Sequence, residues 1–141
     1  MKILIIDEPY NLEYYKACLE DSTHEIVFLD DPEIAIKEIK KNEVQYDRII
    51  TEILFQNRRY DGLDILQAAE LKGINERIII TSVSHPLSLE ESHACLIVRK
   101  PITSKKIKLL AGQSIKRIRS QVSFNAVHDT YLFSHSRSVF V

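Results

Sequence analysis

The sequence has no tryptophan, one methionine, two cysteines and only three glycines in 141 residues. So few glycines, with four prolines, exclude a collagen-like or low-complexity chain. With 45% hydrophobic and 28% charged residues, the composition also excludes disorder over most of the length. No apolar run reaches the roughly 18 residues that a membrane-spanning helix needs. Lys2-Ile3-Leu4-Ile5-Ile6 is too short for a signal peptide. Cys18 and Cys95 lie in apolar stretches without metal-ligand spacing, and read as reduced core thiols of a cytoplasmic protein. His93, His128 and His135 lack such spacing too, so no histidine metal site is expected. A chain of this size buries about 68% of its unfolded surface and needs no covalent staple.

Acidic residues are also missing, from one end only. Between Glu91 and Asp129 there is none. Residues 1–91 carry ten Lys and Arg against nineteen Asp and Glu, a balance of −9. Residues 92–141 carry nine against one, a balance of +8. The net charge of −1 is therefore a cancellation, and implies two charged surfaces or a basic arm suited to an acidic partner.

What is present is an alternation of short apolar runs and helical stripes. Ile3–Ile6, ended by Asp7-Glu8-Pro9, has the continuous apolar character of a strand buried on both faces. Residues 24–29, 48–55, 77–81 and 95–98 supply four more strands. Between them, Leu12, Tyr15, Cys18 and Leu19 fall at helical spacing, as do Ala35, Ile36 and Ile39 after the helix start Asp31-Pro32. Asp61-Gly62 opens a helix with Leu63, Leu66 and Ala69, and Pro86–His93 is a short helix candidate. Thr103-Ser104 caps a last helix whose stripe is Ile107, Leu110, Ala111, Ile115 and Ile118; Gly112 weakens it by about 1 kcal/mol without ending it. The pattern predicts a doubly wound α/β fold with five parallel strands.

Ligands of such sheets sit at the carboxyl ends of the strands. Those ends carry Asp7 and Glu8, Thr51 and Glu52, Thr81 and Ser82, and Lys100-Pro101. Three carboxylates, a hydroxyl and a lysine on one rim suit a divalent cation with a phosphoryl group. The metal candidates are Asp7, Glu8 and Glu52.

Four motifs on that rim resemble the receiver domain of two-component response regulators. Lys2-Ile-Leu-Ile-Ile-Asp-Glu8 matches its acidic pair and Tyr46-Asp-Arg-Ile-Ile-Thr-Glu52 its phosphoacceptor strand. Ile78-Ile-Ile-Thr-Ser82 and Val98-Arg-Lys-Pro101 match its hydroxyl and lysine strands, and Asp61-Gly-Leu-Asp-Ile-Leu66 the start of its third helix. The resemblance runs from Lys2 to about Arg119. It implies a receiver-type, flavodoxin-like strand order of 2-1-3-4-5 and a role in phosphorelay signal transduction. Asp7 and Glu8 would form the acidic pocket, Thr81 and Lys100 would contact the phosphoryl group, and the Lys100-Pro101 bond would be cis.

Departures from the pattern are concentrated at the chemistry. The phosphoacceptor position is Glu52, not Asp, and no shift of one residue restores an Asp. The extra methylene moves the carboxylate by about 1 Å, a displacement that can cost about 10²-fold in rate. The switch position, aromatic in the family, is Ile97, and the loop from Glu52 to Gly62 carries Asn57-Arg58-Arg59-Tyr60 where the family has a proline. The segment from Thr81 to Lys100 is short by about a turn. These features imply a pseudo-receiver, a regulatory module acting through protein–protein interaction without phosphorylation, in which Glu52 could pair with Lys100. The alternatives are an active receiver that takes a phosphoryl group with Mg2+, and a small nucleic-acid-associated regulator. Asp7, Glu8, Glu52 and Lys100 could also be no more than a charge network that steadies the loops. No residue is assigned a catalytic role, and Mg2+ is the only cofactor the rim suggests.

The candidate partner surface is the basic face of the last helix: Lys105, Lys106, Lys108, Lys116, Arg117 and Arg119. It suits a protein partner, including a second copy through that helix or the tail, better than nucleic acid, because no nucleic-acid-binding motif accompanies it. The receiver-like domain is expected over residues 1–120. Residues 121–141 form a C-terminal extension in which Val122, Phe124 and Ala126 alternate with polar residues and Tyr131-Leu132-Phe133 follows. An added strand or hairpin, an exchanged arm and a disordered tail are all compatible with it.

Overall fold

In the computed structural model, Ile3 to Ile6 are at most 1% exposed, because helices cover both faces of the strand they form. The structure describes residues 1–81, 96–125 and 130–132, with the backbone alone for 122–125 and 130–132. The described elements are β1 (Lys2–Ile6), α1 (Pro9–Cys18), β2 (Glu25–Leu29), α2 (Pro32–Lys40), β3 (Arg48–Glu52) and α3 (Gly62–Leu71). They continue with β4 (Glu76–Thr81), β5 (Leu96–Arg99), α4 (Ser104–Gly112), α5 (Ile115–Asn125) and β6 (Thr130–Leu132). The helix candidate at 86–93 and Cys95 lie outside the described residues.

The sheet order is β2-β1-β3-β4-β5-β6. The first five strands are parallel, in the order 2-1-3-4-5, and β6 adds antiparallel to β5, with Ile97 opposite Tyr131. Alternation along β1 sorts the core. Ile3 and Ile5 face a cluster with Leu12, Tyr15, Ile107, Leu110 and Ile118, from α1, α4 and α5. Leu4 and Ile6 face the other, with Ala35, Ile39 and Ile65 from α2 and α3. Each such side chain contributes about 1.5–3 kcal/mol by leaving water. Helices on both faces explain why the strands are apolar throughout rather than alternating.

Caps match the residues that suggested them. Asp31 accepts a hydrogen bond from the Glu33 amide (2.9 Å) at the start of α2, and Thr103 one from the Lys106 amide (3.2 Å) at the start of α4. Asp61 and Asp64 form a reciprocal capping box on α3.

The last helix corrects an expectation. It ends at Gly112, Gln113 is extended (φ −110°, ψ 158°), and a second helix begins at Ile115. Ser114 caps that helix, its hydroxyl accepting from the Arg117 amide at 3.1 Å. Gly112 therefore sits at a helix end, and the basic residues divide between α4 and α5. The apolar stripe bridged the break because Ile107, Leu110, Ala111 and Ile118 all enter one core. A second difference concerns Val122 and Phe124, whose alternation suggested a strand. Both lie within α5, which runs across the expected boundary at 120/121. An added strand does form further on, at Thr130–Leu132.

The sheet also holds an internal ion pair. Arg48, fully buried on β3, donates through Nε (3.1 Å) and Nη2 (2.9 Å) to Glu76 Oε1 on β4. Its Nη1 donates to the Leu110 carbonyl in the last turn of α4. One guanidinium thus ties the amino-terminal end of the sheet to the negative end of a helix.

Candidate functional site

Strand order reverses at β1, with β2 on one side and β3 on the other, so the crevice of this sheet opens between the ends of β1 and β3. Register brings the rim residues together. Ile6 lies opposite Thr51, Glu52 opposite Ile80, and Thr81 opposite Arg99. Asp7, Glu52, Thr81 and Lys100 therefore end adjacent strands or directly follow them. Asp7, Glu52 and Thr81 are 1%, 5% and 6% exposed, so their polar atoms must find partners inside the protein.

Each carboxylate has found a different one. Asp7 Oδ1 accepts from the Glu8 amide (2.6 Å) and from Asn11 Nδ2 (2.9 Å), one turn into α1. Glu8 turns outward, and its Oε1 accepts from the Gln56 amide at 3.0 Å, tying the loop after β3 to the start of α1. Glu52 Oε1 accepts from the Ile53 amide (3.0 Å), and its Oε2 stands 2.5 Å from Lys100 Nζ. The Lys100-Pro101 bond is cis, and the Lys100 amide donates to the Thr81 carbonyl (2.8 Å).

Electrostatics follow from burial and proximity. Burial pushes the Glu52 carboxyl above the usual carboxylate range, and Lys100 only partly offsets this. Asp7 is raised for the same first reason, against the hydrogen bonds from Asn11 and Glu8. Burial would lower Lys100, but its bond to Glu52 and the charges of Glu52 and Asp7 outweigh that, so the ammonium is held charged to higher pH. Tyr15 on α1, 4% exposed, is pushed up by burial and by Asp7 and Glu52, which keeps its hydroxyl protonated beneath the rim.

The arrangement does not gather the acids around one point. Among the described residues, no three His, Cys, Asp or Glu side chains are placed to hold a metal ion. Mg2+ demands near-octahedral oxygen ligation at about 2.0–2.1 Å. Glu8 faces away, and the outer oxygen of Glu52 is taken by an ammonium. The residues present do not fit that ion as they stand.

No protein-family model matches the chain, and no curated protein matches it either. Solved structures do. A response regulator receiver protein from Sinorhizobium medicae WSM419 is 21% identical, with a TM-score of 0.68 over 78% of this chain and 90% of that one. A receiver domain from Clostridium thermocellum is 25% identical, with a TM-score of 0.64 over 85% and 98%. The receiver domain of a sensor histidine kinase from Pseudomonas aeruginosa PAO1, which has a magnesium ion coordinated in its active-site cleft, is 16% identical, with a TM-score of 0.64 over 79% and 98%. The chain has the receiver fold.

Within that fold, Ile97 is fully buried on β5 and packs against Leu66 and Ile79. Lys105, Lys108, Lys116 and Arg117 are exposed, while Lys106 and Arg119 are half-buried. Among the described residues, no helix is long and apolar enough to cross a membrane.

Sequence reasoning missed three contributors. Asn11, four residues after Asp7 at the distance of one helical turn, was a legible signal. The Gln56 amide was not, because backbone donors in loops leave no trace in residue type. Gly62 was noted only as opening a helix. A Cβ there would stand 2.1 Å from the Glu52 carbonyl oxygen and 2.8 Å from Ile53 Cα, and the Gly62 amide donates to the Ile53 carbonyl at 2.7 Å. Its lack of a side chain lets α3 start directly against the strand end that presents Glu52.

Proposed function

We propose that this chain is a regulatory module of the receiver fold that acts by binding another protein and does not take up a phosphoryl group. The observation that carries this reading is the ion pair between Glu52 Oε2 and Lys100 Nζ at 2.5 Å. In the resemblance drawn from the sequence, Glu52 stands at the phosphoacceptor position and Lys100 at the phosphoryl contact. Paired with each other, they fill that place with a carboxyl group and the ammonium that neutralises it. The rim is thereby held in one arrangement, and the disposition of Asp7 and Glu8 adds no ligand set for Mg2+.

The partner surface is the outer side of α4 and α5. Lys105, Lys108, Lys116 and Arg117 are exposed there, with no acid in the sequence nearby to neutralise them. An acidic protein surface complements them.

Beryllofluoride with Mg2+ tests the reading, since together they mimic a bound phosphoryl group and its metal. Amide NMR spectra are expected to be unchanged at Asp7, Ile53, Thr81 and Lys100 when both are added in excess. Saturable shifts at those amides would show that Glu52 yields Lys100 to an incoming anion, and would replace this reading with that of a phosphoryl-accepting receiver.

A further inference from the structure

Beside the rim, on the face covered by α1 and α4, lies a cavity of about 530 Å³. That is within the roughly 300–1,000 Å³ of small-molecule sites. Its walls are apolar: Tyr14 and Tyr15 from α1, Pro101 and Ile102 from the turn after β5, and Ile107 from α4. One end is polar, formed by Asp7, Asn11 and Lys100. The combination of an apolar slot with a few convergent polar groups at one end is that of a ligand site rather than a packing fault.

The polar end selects the chemistry of its occupant. Lys100 is ion-paired with Glu52 at 2.5 Å and, as a group with three donors, has hydrogens for a ligand as well. Asn11 spends one of its two amide hydrogens on Asp7 and keeps the other, together with its carbonyl oxygen. Against the single positive charge of Lys100 stand two carboxyls, Asp7 and Glu52. A ligand carboxylate or phosphate would add a third negative group beside them. A cationic ligand would meet the Lys100 ammonium in the lining, while Glu52 is already paired with that lysine and Asp7 already accepts from Asn11 and the Glu8 amide. A neutral molecule with one oxygen able to take a hydrogen from Lys100 and, through a hydroxyl, give one to Asn11 meets neither penalty. Two aromatic and three aliphatic walls favour a flat ring as its body.

We infer that this cavity is a binding site for a neutral aromatic molecule of one or two rings carrying a hydroxyl at one end. The inference rests on the proposed reading, because it needs Glu52 and Lys100 to remain paired at the end of the slot. A ligand there touches Lys100 directly, so its arrival biases the rim without phosphoryl transfer.

The test uses 2-naphthol as the neutral probe, with 2-naphthoate and 2-naphthylmethylamine as its anionic and cationic counterparts, each titrated into the full chain and followed by amide NMR. 2-Naphthol is expected to give saturable shifts centred on Asn11, Tyr15 and Ile102, and to bind at least about tenfold more tightly than either charged analogue. Ile102→Trp, which places an indole in the slot, should abolish those shifts, with its amide spectrum reporting that the fold is retained. Should that variant unfold, Tyr14→Ala, at a half-exposed wall position, should weaken 2-naphthol severalfold. Absence of saturable binding, equal binding of 2-naphthoate, or shifts centred elsewhere would overturn the inference. None of these outcomes bears on phosphoryl uptake, which the beryllofluoride experiment reads separately.

Discussion

Glu52 and Asp7 are carboxylates forced into a place where water cannot solvate them, and burial raises both above their ordinary values. Each binds its proton more tightly in the folded chain than in the unfolded one. Their contribution to stability is therefore present in acid and lost as pH rises from the ordinary carboxylate range through the raised values. Urea unfolding of the natural chain and of an Asp7→Asn, Glu52→Gln double variant between about pH 4 and 8 checks this. The natural chain is expected to lose stability relative to the variant as pH rises; a pH-independent difference would contradict it. Arg48 presents the opposite case, a buried charge whose three nitrogens each donate to Glu76 or to the Leu110 carbonyl. Arg48→Ala removes the cation that Glu76 pairs with and leaves the Leu110 carbonyl without that donor. It is expected to destabilise by about 3–5 kcal/mol in denaturant titration, against less than about 1 kcal/mol for a variant at an exposed ion pair such as Lys16–Glu13.

At the scale of elements, two glycines make opposite predictions. At Gly62 a Cβ would collide with the Glu52 backbone, so Gly62→Ala should destabilise by about 1–3 kcal/mol or more and displace the Glu52 end of β3, visible as shifts at the Ile53 amide. At Gly112 a Cβ would meet nothing within 4 Å, so Gly112→Ala should stabilise by about 0.4–1 kcal/mol in the same titration. Elements whose identity comes from their own residues were legible in the sequence. Ile78-Ile79-Ile80 reads as a doubly buried strand because the run is short, apolar and β-branched throughout, and Asp31-Pro32 reads as a helix start because cap and ring geometry are local. The break after Gly112 was not legible, since two helices packed on one core share a stripe whose spacing runs on across their junction. Nor was the role of Arg48, because a charged residue opening a strand looks exposed until its partners on β4 and α4 are known. At the rim, the residues themselves were legible from their positions at strand ends. Their directions were not: Glu8 turns to the Gln56 amide, a choice made by a loop conformation that residue types do not encode.

At the scale of the molecule, the near-neutral net charge resolves into a distribution. Several cations in the first half are tied down by acids, as in Lys2–Glu25, Lys41–Glu38 and Arg58–Asp31. The exposed cations of α4 and α5 are not balanced in this way by acids of their own segment. At the far edge of the sheet, β6 covers β5, so the chain's own C-terminal segment occupies a strand edge that would otherwise offer free backbone groups. The rim between these regions closes on the pair of Glu52 and Lys100, and the proposed function stands or falls on that pair excluding a phosphoryl group. Intact mass spectrometry after incubation with Mg2+ and excess acetyl phosphate measures this most directly. No labile adduct of about 80 Da, the mass of one phosphoryl unit, is expected at any time point. An adduct of that mass mapping to Glu52 would show that the residue still accepts phosphate, and would contradict the account.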